Sequence, residues 1–149
     1  MKSWIAAITL SVFAAPALAG DIVKIKAAGD VASTMDALEA AVTGAGATVF
    51  ARVDHAGGAA KVDLELADSQ VLIFGNPKLG TPAMQDDALA GLFLPMKVLV
   101  FEDSAGDVFL AYEDPSSMLG DLDGFNGDAE YLKKMTGALG KLTGKAAGG

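Results

Sequence analysis

Lys97-Val98-Leu99-Val100-Phe101-Glu102, then Asp103-Ser104-Ala105-Gly106, then Asp107-Val108-Phe109-Leu110-Ala111-Tyr112-Glu113 is the stretch that decides the fold. Two apolar runs of strand length flank a short polar segment, with Gly106 available for the left-handed position of a tight loop. That pattern predicts a β-hairpin. A hairpin makes at least part of its sheet antiparallel, which favours an α+β domain over a doubly wound parallel one. Leu94-Pro95 before the hairpin and Asp114-Pro115 after it mark its bounds.

Upstream, Val71-Leu72-Ile73-Phe74 is an unbroken apolar run between Asp68-Ser69 and Gly75-Asn76-Pro77, as expected of a central strand covered on both faces. Gly80-Thr81-Pro82 then predicts a helix capped by Thr81, with proline at its first position, running toward Asp87. Val62, Leu64 and Leu66 precede the run Val71-Leu72-Ile73-Phe74. Residues 48–54 also read as a strand, with Arg52 and Asp54 on one face and able to pair, followed by a glycine-rich loop at 55–60. Near the start, residues 21–26 read as a strand. Asp30 looks like the N-cap of a helix bearing Val31, Met35, Leu38 and Val42, which Gly44 and Gly46 close.

Downstream of the hairpin, residues 116–127 read as a loop. Tyr131, Leu132, Met135, Leu139 and Leu142 form the stripe of a final helix over roughly 128–142, ahead of a frayed end at 144–149. The order is β-α-β-β-α-β-β-α: a single α+β domain over 20–149, with a small mixed, partly antiparallel sheet and helices packed on it. No internal repeat or linker divides it.

The first 19 residues have the form of a cleavable signal peptide. Lys2 is the only charge, Trp4 to Ala15 is apolar, and Pro16 precedes the small-residue site Ala17-Leu18-Ala19. An apolar run this short falls below the roughly 18 residues needed to span a bilayer, so no membrane attachment is expected after cleavage. The expected location is the periplasm. Removing Lys2 with this segment leaves 10 basic and 19 acidic residues, a net charge of −9. That field disfavours nucleic acid as a partner. The chain has no cysteine, which rules out thiol catalysis and thiolate metal sites.

Gly75-Asn76-Pro77, Gly80-Thr81-Pro82, Leu94-Pro95-Met96-Lys97 and Tyr112-Glu113-Asp114-Pro115 share order and spacing with a bacterial family. Ala51-Arg52-Val53-Asp54-His55 and Leu64-Glu65-Leu66 extend the match. Across roughly residues 30–116 the chain resembles the domain of unknown function 302 family. The resemblance implies a compact α+β sheet domain that often pairs as a dimer, and it implies no assigned activity.

Four residues are candidates for chemistry. His55, the sole histidine, could act as a general acid or base, although hydrogen bonding at a strand end is the more ordinary role. Asn76, where a buried strand runs out, could bind a ligand or simply make the turn. The Gly75-to-Gly80 segment could seat a small anion on free backbone N–H groups. Lys97 could bind an anion or pair with Glu102 or Glu113 across the hairpin, and Tyr112 could contribute a hydroxyl to the same site. Five methionines, Met35, Met84, Met96, Met118 and Met135, suggest core filling rather than copper handling. No metal site and no cofactor are expected. The favoured function is a non-enzymatic module that binds a small, anionic ligand or a protein partner, as a homodimer through a sheet edge or Leu92-Phe93-Leu94. The alternative is a cofactor-independent enzyme with His55 as general acid or base and Lys97 or Asn76 stabilising negative charge.

Overall fold

The computed structural model describes residues 21–148. Residues 1–19, where the sequence suggests a signal peptide, lie outside the described residues. Five strands form one sheet: β1 (Ile22–Lys26), β2 (Thr48–Asp54), β3 (Ser69–Gly75), β4 (Met96–Glu102) and β5 (Val108–Glu113), in the order β1-β5-β4-β3-β2. Every pairing is antiparallel. The hairpin predicted over 97–113 is β4-β5, with Leu99 opposite Ala111 and Phe101 opposite Phe109. Gly106 adopts the left-handed conformation in its loop, φ 82°.

The helices are α1 (Val31–Gly44), α2 (His55–Ala60), α3 (Pro77–Asp86), α4 (Pro115–Leu119) and α5 (Glu130–Gly148), with a 3-10 turn at Ala88–Leu92. Asp30 caps α1 as expected, its carboxylate accepting from the Ser33 N–H at 2.7 Å. That hydrogen bond holds the Asp30 carboxyl below its ordinary pKa. α1 lies over β2, β3 and β4, α5 lies over β1 and β5, and the two helices pack on each other. Strand alternation therefore aims Leu72, Phe74, Val98, Val100, Leu110 and Tyr112 at the helices, and all of them are buried. The core closes with Met35, Leu38 and Val42 from α1 and Leu132, Met135 and Leu139 from α5. The opposite face, with Val71, Ile73, Leu99, Phe101 and Phe109, is the side away from the α1 and α5 core residues and is half-buried. β3 is thus an interior strand, paired on both edges, with its core face under the helices and its other face half-buried. Lys24 reaches over this face onto the Phe109 ring, 3.6 Å from its centroid.

Several local expectations are corrected. The glycine-rich 55–60 segment is helical, because the Asp54 carboxylate accepts from the Gly57 N–H at 2.9 Å and caps it. Arg52 does not pair with Asp54. A bulge between Val49 and Ala51 turns Arg52 toward α1, where it meets Asp36 and Glu39 and also donates to Gln70. Asp36 above all, and Glu39 after it, raise the Arg52 pKa. α3 starts at Pro77 with Asn76 as its cap, so Pro82 lies inside the helix rather than opening it. Part of the 116–127 loop is α4, capped by Asp114. α5 runs through the end expected to fray, since Ala146 and Ala147 are buried and the Ala147 carbonyl accepts from the Ala28 N–H at 2.9 Å.

Candidate functional site

β2 and β3 run out together, with Thr48 opposite Gly75, and at that end the chain leaves the sheet to build α3. α3 and α5 touch each other, and Leu94-Pro95-Met96, which leads into β4, borders the same space at the strand ends. The space enclosed is a cleft of about 470 Å³. Phe74 and Phe50 line its sheet side, Met135, Leu139 and Leu142 its α5 side, and Leu79, Gly80 and Met84 its α3 side. Phe50 is the extra residue at the bulge, which leaves it 59% exposed. The lining is overwhelmingly apolar, and its volume falls in the range of small-molecule sites. Three methionines, Met84, Met96 and Met135, meet here, and unbranched thioether side chains reshape readily around a guest. Met96 and Met135 are buried while also lining the cleft, whereas Met35 and Met118 lie in the core and do not line it; the burial of all four fits the core filling expected from the sequence.

The four candidate residues are not brought together. Asn76 lines the cleft, but its side-chain oxygen accepts from the Lys78 N–H at 2.9 Å. The Leu79 and Gly80 N–H groups are bonded to the Asn76 carbonyl, so this turn keeps none of the three for a small anion. His55 opens α2 at the opposite end of the β2-β3 pair, about 20 Å away along the strand, and is exposed. Lys97 and Tyr112 face opposite sides of the sheet: Lys97 is exposed on the face away from the α1 and α5 core residues, and Tyr112 is buried beneath the helices. Among the described residues Lys97 forms no ion pair with Glu102 or Glu113. Of Leu92-Phe93-Leu94, Leu92 is 77% exposed, while Phe93 and Leu94 pack against the core. Sequence reasoning singled out Asn76 and the Gly75-to-Gly80 turn but not the cleft as such, because apolar residues that line a cavity carry the same periodicity as residues that fill a core.

α3 is held in place at its far end. Tyr131 Oη donates to Asp86 at 2.9 Å, and burial together with that carboxylate raises the tyrosine pKa. Asp87 caps the 3-10 turn by accepting from the Leu89 N–H, and it also accepts from the Gly124 N–H. Among the described residues no group of three histidine, aspartate or glutamate side chains could hold a metal ion.

Comparison with known proteins gives relatives of two kinds. The chain is 40% identical over 95 residues to Fluoride-specific ion channel FluC 1 of Brucella suis, a match covering 64% of this chain and 37% of that one. It has the same identity to the Brucella melitensis protein Fluoride-specific ion channel FluC 2, covering 35% of it. The chain thus spans little more than a third of the length of these curated relatives. A crystal structure of an uncharacterized conserved DUF302 protein from Bacillus stearothermophilus has the same fold, with a TM-score of 0.67, 17% identity, and coverage of 85% of this chain and 94% of that one. The family model for the Domain of unknown function DUF302 matches residues 23–142, nearly all of the described fold, and the chain belongs to that family.

Proposed function

We propose that this protein is a non-enzymatic binding module that takes one small, largely apolar molecule into the cleft between α3, α5 and the ends of β2 and β3, and that it does so in the periplasm after removal of residues 1–19. The observation that carries this reading is the cleft itself: about 470 Å³ lined by aromatic, aliphatic and thioether side chains, with Asn76 among its few polar groups. Burial of apolar ligand surface supplies the driving force. The enzymatic alternative lacks comparable support, because His55, Lys97 and Asn76 cannot surround one substrate from their separate positions. Fluorescence titration with the neutral probe N-phenylnaphthylamine tests the proposal. Saturable binding of one probe per chain is expected, and the absence of saturable binding would refute it.

A second reading, a homodimer, is favoured by the half-buried sheet face, where Val71, Ile73, Leu99 and Phe101 form a continuous apolar strip. Sedimentation velocity over a wide concentration range decides it, and a monomer throughout would eliminate it. We assign the channel activity in the names of the Brucella proteins to the larger part of those chains outside the match. Among the described residues here, no helix is long and apolar enough to cross a membrane.

A further inference from the structure

We propose that the ligand of the cleft is an anionic amphiphile, its tail in the cleft and its carboxylate held over Gly137 by Lys133 and Lys141; this rests on the reading of the cleft as a binding site. A groove on α5, lined by Glu130, Lys133, Lys134, Gly137 and Lys141, shares Ala45, Ala138 and Leu142 with the cleft, so the two are continuous. Helical spacing sets Lys133 and Lys141 four residues to either side of Gly137, about 6 Å along the axis in each direction. Their flexible side chains can therefore meet above it. Lys134 is engaged by Glu130 at 2.7 Å, whereas Lys133 and Lys141 form no ion pair among the described residues.

Two further observations point the same way. α5 carries four lysines and one glutamate, while residues 21–129 carry 6 basic and 18 acidic groups, so a net-basic helix of an acidic chain borders the mouth of the apolar cleft. Gly137 is mid-helix, where glycine is unfavourable relative to alanine, and nothing lies within 4 Å of the position its Cβ would take. Packing therefore does not require glycine there. What its lack of a side chain provides is an open path from the lysines to the cleft. The partner selected by this arrangement has an apolar tail and one carboxylate, and it binds as a free monomer.

Displacement of N-phenylnaphthylamine by decanoate and by decanol tests the inference. Decanoate is expected to displace the probe about tenfold more tightly than decanol, as two partly exposed ion pairs allow. That advantage should vanish in about 0.5 M NaCl and in the double variant Lys133→Gln, Lys141→Gln, with probe affinity itself unchanged. Gly137→Phe should weaken decanoate while leaving the fold intact by circular dichroism. Equal affinities for decanoate and decanol would overturn the inference and leave the cleft reading standing. Failure of the neutral probe to bind would overturn both. Sedimentation with phosphatidylglycerol vesicles, without any decanoate advantage, would overturn it in favour of a membrane surface as the target of the lysines.

Discussion

Replacing Gly80 with phenylalanine should raise stability and abolish probe binding together. Gly80 lies within α3, and a Cβ there would meet only Leu94 Cδ1, at an ordinary 3.7 Å. Exchanging glycine for a side-chain-bearing residue in a helix gains about 0.5 kcal/mol. If the ring buries about 100 Å² in the cleft, it contributes about 2.5 kcal/mol at about 25 cal/mol per Å². Fixing the side chain costs about 1 kcal/mol, and burial areas of this kind are upper estimates. The net expectation is about 1–2 kcal/mol of added stability, a Tm rise of about 4–8 °C for a domain of this size. Thermal denaturation followed by circular dichroism gives the first quantity, and N-phenylnaphthylamine titration gives the second, expected to weaken at least tenfold. A Tm that falls by several degrees would mean that the cleft lacks the space described. Unchanged probe affinity would mean that the probe sits elsewhere.

Other perturbations report on the supports of the site. Asp114→Ala removes the cap of α4, whose carboxylate accepts from the Ser116 and Ser117 N–H groups, and should cost about 1 kcal/mol in urea denaturation; no measurable loss would contradict the cap. Arg52→Met leaves Asp36 and Glu39 without their shared cation, yet should cost under about 1 kcal/mol because the network is partly exposed. A loss several times larger by the same assay would show that the network is structurally dominant. The Tyr131 pKa is raised in the fold, so its contribution is present below its unfolded pKa of about 10 and is lost as pH rises through the higher folded value. Alkaline denaturation should therefore be steeper for the wild type than for Tyr131→Phe, and identical profiles would count against the Tyr131–Asp86 bond.

The elements that sequence reasoning located share a physical property: their signals are local. Alternation in 97–113 and helical spacing in Val31, Met35, Leu38 and Val42 each depend on neighbours within a few residues, and both elements formed where expected. Competition between two similar signals misled the reading at α3. Asn76-Pro77 and Thr81-Pro82 each offer a cap followed by proline, and only the position of the chain leaving β3 selects the first. His55, Asn76, Lys97 and Tyr112 were singled out by residue type, and residue type carries no information about the face or end of the sheet a side chain occupies. The cleft depends on tertiary spacing between α3 and α5, and its methionines are indistinguishable in sequence from Met35 and Met118 in the core.

That distinction among methionines gives the most direct test of the central claim. In a protein carrying methyl-labelled methionine, titration with N-phenylnaphthylamine followed by NMR should shift the Met84, Met96 and Met135 methyl resonances, which line the cleft, and leave those of Met35 and Met118 in place. Shifts confined to Met35 or Met118, or no shift at any of the five under saturating probe, would contradict the account.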